Sequence, residues 1–168
     1  NLCHLDQTLA WTAHQLGDWY QQPIPDLHPQ QEAVSSTLRH ALRGDAAQRV
    51  IAAWNLGWQP ATEISKTDWQ APILAQLLDD PYSVVRYVAF RSLKELPGFQ
   101  DLEYDFLSDS KSRQEAAAHV LETWRQQGKE AARAENGRLL LNSKGQLDEG
   151  LLNQLLNERD DRPIVIAE

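Results

Sequence analysis

The one cysteine of this 168-residue sequence stands in Asn1-Leu2-Cys3-His4, directly before a histidine. A thiol beside an imidazole can both anchor and ligate an iron porphyrin. In the pattern C-x-x-C-H, two cysteines form thioethers to the porphyrin vinyl groups, and the histidine reaches the iron as an axial ligand. Residues 1–4 supply the last four of those five positions. The first cysteine would fall just before Asn1. On this reading Cys3 is a thioether anchor and His4 the proximal iron ligand. His14, His28, His40 and His119 are the internal candidates for a sixth ligand, although His14 lies about two and a half turns along the first expected helix. The dipeptide alone equally describes a buried thiol beside a surface imidazole.

Little else in the sequence points to chemistry. Asp79-Asp80 and Asp160-Asp161 are carboxylate pairs, but both fall at expected helix ends, where capping and solvation explain acids. No nucleophile elbow, phosphate loop, zinc-protease helix or dinucleotide glycine pattern occurs. A carrier or scaffold is therefore expected rather than a catalytic domain. A single cysteine excludes disulfides within the chain and multi-thiolate zinc sites. The net charge of −8 repels phosphate backbones, so nucleic acid is not an expected partner. No apolar run approaches the roughly 20 residues of a membrane span. The sequence contains no Met, which suggests a processed chain or a piece of a longer one.

Periodicity predicts helices throughout. Asp6 is expected to cap a helix that runs to about Gln21, and Pro23, Pro25 and Pro29 then form a linker. Pro29 suits the start of one helix through Val34, Leu38, Ala41 and Leu42, closed by Gly44. Asp45 should cap the next, which ends at Gly57. Thr67 and Gln70 have capping-box spacing and predict a helix containing Trp69, Ile73 and Leu77. Asp80-Pro81 opens another that ends at Pro97-Gly98. A long helix is expected from Asp109 to Gln126, and a last one from Asp148 to Glu158 before the apolar tail Ile164-Val165-Ile166. Between them, Arg138–Leu147 reads as a small hairpin or an extended loop. The six tryptophans fall mostly at or beside apolar helical positions, which predicts core packing.

Three segments share a local pattern: Arg49 with Ala52-Ala53, Arg86 with Ala89, and Arg113 with Ala116-Ala117. Their spacing suits helix pairs stacked side by side as a solenoid. The stretch Leu77-Leu78-Asp79-Asp80-Pro81 with Val84-Val85-Arg86 and Ala89 resembles the HEAT-repeat signature. In that family an Asp six residues before the Arg helps join adjacent repeats, and Asp80 and Arg86 match. Arg43 and Leu107 stand at the equivalent positions of the other two segments, so those repeats are degenerate.

The opening segment through Trp11, with Trp19-Tyr20, is similar to the closing haem segment of bacterial multihaem cytochromes c, in which a helical-repeat region follows. Gly44-Asp45-Ala46-Ala47-Gln48-Arg49, Leu56-Gly57-Trp58 and Arg159-Asp160-Asp161-Arg162-Pro163 also look like that group. The chain departs from the pattern in having no complete C-x-x-C-H. The expected architecture is all-α: a haem-motif remnant and leading helix (1–22), a Pro-rich linker (23–29), HEAT-like repeats (30–127) and a C-terminal extension (128–168). The resemblance implies haem c at Cys3 and His4, and electron transfer with other haem-bearing segments or redox partner proteins. It also implies a periplasmic or extracellular location. The alternative is a haem-free HEAT-like scaffold for protein–protein contacts.

Overall fold

The computed structural model describes residues 2–127, 137–142 and 144–163, and these are all-helical. The expected tail Ile164-Val165-Ile166 lies outside them. The helices are α1 (Leu9–Tyr20), α2 (Pro29–Ala33), α3 (Ser36–Arg43), α4 (Ala46–Gly57), α5 (Gln59–Ser65), α6 (Ala71–Leu77), α7 (Ser83–Lys94), α8 (Ser110–Gln126) and α9 (Glu149–Asn157). None is long and apolar enough to cross a membrane, among the described residues.

The cap chemistry explains where several expectations were right. Asp45 and Gln48 make a reciprocal capping box at α4. Asp109 caps α8 through the Ser112 N–H, and Asp148 caps α9 through that of Leu151. In the stretch read as a small hairpin or an extended loop, one antiparallel bridge joins Leu141 and Leu147.

Other expectations need correcting. Thr8, not Asp6, caps α1, accepting from the Trp11 N–H. Asp6 instead accepts from the Gln7 amide. The helix expected from Pro29 to Gly44 is two, because Val34 is extended and the Ser35 hydroxyl caps a fresh start by accepting from the Leu38 N–H. A short helix, α5, occupies a stretch to which the periodicity assigns no element. Thr67–Gln70 forms a turn, and α6 begins only at Ala71 with no side-chain cap. α7 likewise begins at Ser83, past Asp80-Pro81.

The core runs through the middle of the molecule. α4 lies along α7, α3 packs on α4, and α6 packs on α7 and α8. Leu38, Leu42, Leu56, Ile73, Leu74, Leu78, Val85 and Leu93 are buried there. Small residues permit these approaches. A Cβ on Gly57 would stand 2.5 Å from the Ser92 Cα, so α4 and α7 meet at a position where no side chain fits. α9 covers α3 from the far end.

Of the six tryptophans expected to pack in the core, two are fully buried there and Trp58 packs partly against it. Trp69 donates its indole N–H to the Ser65 carbonyl and Trp124 to that of Asp68. Trp11 and Trp58 are half-buried, whereas Trp19 and Trp54 are open to solvent.

Candidate functional site

Cys3 and His4 lie on a short extended segment sewn into the fold on either side. The Ser65 hydroxyl donates to the Cys3 carbonyl at 2.7 Å and accepts from the Leu5 N–H at 2.9 Å. The Ser35 hydroxyl donates to the Leu5 carbonyl at 2.6 Å. Leu5 itself is wholly buried in the core. These bonds run over 30 to 62 residues of sequence, so the fold, not local propensity, places the segment. The Cys3 side chain is half-buried and carries a free thiol. His4 is exposed, with its ring 4.9 Å from that of Trp11 and tilted by 46°.

The helix that follows, α1, is, with the five-residue α2, one of two described helices that bury no residue fully. Leu16, Trp19 and Tyr20 face solvent, as do Leu2 on one side and Ile24 on the other. A 12-residue helix gains little stability from propensity alone and normally depends on packing its apolar side.

The four other histidines are scattered. His14 is exposed on α1. His28 caps α2, its Nδ1 accepting from the Gln30 N–H. His119 lies on α8 beside a small cleft with Phe99 and Leu102. His40 is brought beside the N-terminal segment, where it shares a cleft of about 150 Å³ with Leu2 and Ile51. Desolvation in that cleft, then the Arg39 charge, hold the His40 pKa below its usual value. No group of three or more His, Cys, Asp or Glu side chains is arranged to hold a metal ion among the described residues.

The acidic pairs are bound into arginine contacts. The Asp80 carboxylate and the Arg49 guanidinium are both fully buried, with Nε and Oδ2 2.7 Å apart. That contact is misaligned for a hydrogen bond, so charge holds it; Nη2 donates to Oδ1 at 3.3 Å. Arg49 also reaches the Asp160 carbonyl at 3.0 Å and the Asp161 carboxylate at 3.2 Å. The segment after α9 is thus strapped over the α4–α7 junction. Arg162 grips the Asp160 carboxylate and lowers its pKa to about 2. Asp79 accepts from Arg113 of α8 at 2.8 Å.

The three repeated arginines share one further contact. Arg49 Nη1 donates to the Gly44 carbonyl, Arg86 Nη1 to that of Pro81, and Arg113 Nη1 to that of Ser108. In each case the acceptor lies five residues upstream. The sequence pattern is therefore a structural device: each arginine ties down the turn before its own helix. Arg49 and Arg113 also reach the carboxylates of Asp80 and Asp79, and Arg86 donates to the Asp80 carbonyl at 2.7 Å. These carboxylates serve assembly rather than acid–base chemistry.

One surface was missed by the sequence reading. Where α4 meets α7, Trp54, Trp58, Tyr87 and Val88 line an open cleft of about 350 Å³. The available signal was Ile51, Trp54 and Trp58, a second apolar stripe on α4 beyond what its core face of Ala53 and Leu56 uses. No family model, curated protein or solved structure matches this chain.

Proposed function

We propose that this chain is a HEAT-like repeat region of a multihaem c-type cytochrome, that Cys3 and His4 attach one haem c, and that the repeats dock this haem segment in electron transfer. Cys3 would supply one thioether and His4 the proximal imidazole. The second thioether requires a cysteine that these 168 residues do not contain. A bound haem would supply an iron centre that takes up and releases one electron. A periplasmic or extracellular site of action, and other haem-bearing segments or redox proteins as partners, belong to the same reading.

The residues present fit part of such a group. A half-buried thiol adjoins an exposed imidazole, and the backbone between Cys3 and Leu5 is held at Ser65 and Ser35. The observation that carries the reading is α1. It begins five residues after His4 and leaves Leu16, Trp19 and Tyr20 uncovered, as a helix does when its covering element is elsewhere. The HEAT-like arrangement is supported by the side-by-side packing of α4 with α7 and by the shared arginine contacts. It is irregular at its end, since α8 has α6 as its main neighbour.

A second reading, a haem-free HEAT-like scaffold, is favoured by the aromatic cleft between α4 and α7. The two are separated by producing the chain within its full-length parent in a host competent for cytochrome c maturation. Haem attachment predicts a pyridine-haemochrome spectrum and iron, with one haem equivalent lost in Cys3→Ala and an altered axial-ligand spectrum in His4→Ala. A parent protein without colour or iron eliminates the haem reading and leaves the scaffold. An unchanged haem count and spectrum in both variants would place any haem elsewhere.

A further inference from the structure

Two features of this molecule are largely open to solvent. The first is the cleft between α4 and α7. Trp54 and Trp58 stack there with centroids 5.3 Å apart and planes 21° from parallel, and Trp54 is 52% exposed. Tyr87 and Val88 form the facing wall, with Arg91 and Glu95 at its end. Arg91 is exposed, and no ion pair or side-chain hydrogen bond holds it among the described residues. The second is residues 22–27, between α1 and α2. Pro23, Ile24, Pro25 and Asp26 are all exposed, and no backbone hydrogen bond ties this stretch to the rest among the described residues.

The chemistry of the two is complementary. Prolines at 23 and 25 restrict the chain to an extended, polyproline-like course, so docking it costs little conformational entropy. Flat indole and phenol faces form the kind of groove that receives such segments. Pro23 and Asp26 are three residues apart, one polyproline turn or about 9 Å. A proline ring on the tryptophans would therefore carry the Asp26 carboxylate along the groove toward the unpaired Arg91.

We propose that the α4–α7 cleft binds residues 22–27 of a second copy of this chain, with Pro23 and Pro25 against Trp54, Trp58 and Tyr87 and Asp26 paired with Arg91. Cleft and linker are different surfaces, so the contact is head-to-tail and forms an open chain or a closed ring. The charge of −8 on each copy opposes association, which makes it weak and dependent on concentration.

Sedimentation equilibrium on the 168-residue chain, from roughly 1 μM to 1 mM, tests this. The average mass should rise with concentration. Trp54→Ala should abolish the rise, and so should Pro23→Ala/Pro25→Ala, because one lacks the cleft and the other the linker. Their mixture should form dimers and nothing larger, since one intact cleft and one intact linker remain. Asp26→Arg and Arg91→Glu should each weaken association at least tenfold, and their combination in one chain should restore it. These five positions are exposed, and circular dichroism verifies that each variant keeps its helices. A wild-type chain that stays monomeric throughout overturns the proposal, as do variants that associate like wild type. A monomeric chain whose tryptophan fluorescence responds to a synthetic peptide of residues 21–30 would also overturn it, and would assign the cleft to a proline-containing segment of another protein.

Discussion

The α4–α7 junction and the N-terminal segment handle their polar and apolar groups in opposite ways. At the junction, a charged pair is taken wholly out of water: Arg49 and Asp80 are fully buried, and the strap at Asp160 and Asp161 closes over them. In the N-terminal segment, apolar rings are left in water: no residue of α1 is fully buried, and Trp19 and Tyr20 are each 65% exposed. The first region is complete within this chain. Its costly groups have partners from three separate parts of the sequence. The second is anchored through its backbone, Leu5 and the Gln7 side chain, which accepts from Arg138 at 2.8 Å. Leu16, Trp19 and Tyr20 stay open to solvent. The contrast separates what holds this molecule together from what it offers to others.

Removing Arg49 should have the largest effect. Arg49→Met leaves the buried Asp80 with only Arg159, at 4.0 Å, as counter-charge, and breaking a buried pair from one side costs about 3–5 kcal/mol. The same change cuts the two contacts to the strap. Urea denaturation followed by circular dichroism measures the loss. Arg49→Met/Asp80→Leu should recover much of it, because no lone charge then remains inside. A single variant as stable as wild type would mean that water reaches Asp80, and the contrast between the two regions would fail at its stronger end.

An intermediate effect is expected where α4 and α7 touch. Gly57→Ala would drive a methyl group to 2.5 Å from the Ser92 Cα, and the backbone cannot yield as a flexible side chain would. Overpacking of this kind costs about 1–3 kcal/mol. Thermal unfolding would register it as a lower Tm. An unchanged Tm would show that the two helices slide apart freely.

Much of the helical order was legible because local chemistry decides it. Asp45, Asp109 and Asp148 cap helices as their sequence contexts predict, and Gly98 takes the left-handed conformation that lets the chain turn after α7. Failures occurred where tertiary contacts override local signals. Asp80 precedes a proline and reads as a cap, yet its carboxylate is shared between the Tyr82 N–H, just ahead of α7, and Arg49, 31 residues away in sequence. Ser35 breaks a helix whose apolar periodicity runs straight through it, because its hydroxyl and backbone are drawn to Leu5 and Arg138. Cys3 and His4 stood out by their chemical type alone. That Ser65 would fix them, and that His40 rather than His14 would border the Leu2 cleft, depended on distant chain segments meeting. No pattern in the sequence encodes such meetings directly. The Trp54 cleft was hidden for a related reason: tryptophan at helical spacing describes an inward and an outward stripe equally well.

The smallest effect is expected from Trp19→Ala in the chain by itself. Trp19 touches Tyr20 edge-on at 6.5 Å and is otherwise in solvent, so its removal should change stability by no more than about 0.5 kcal/mol. The informative comparison is the same substitution in the full-length parent protein. If α1 docks there against a haem-bearing segment, the ring becomes a buried one, and its loss should cost about 3–5 kcal/mol or release the segment to proteolysis. The difference between the two measurements then isolates the covering of α1 from any contribution inside this chain. Equal, small effects in both contexts would mean that the ring stays wet in the parent protein as well. The exposed face would then be an ordinary surface, and the main structural support for haem docking at Cys3 and His4 would be gone.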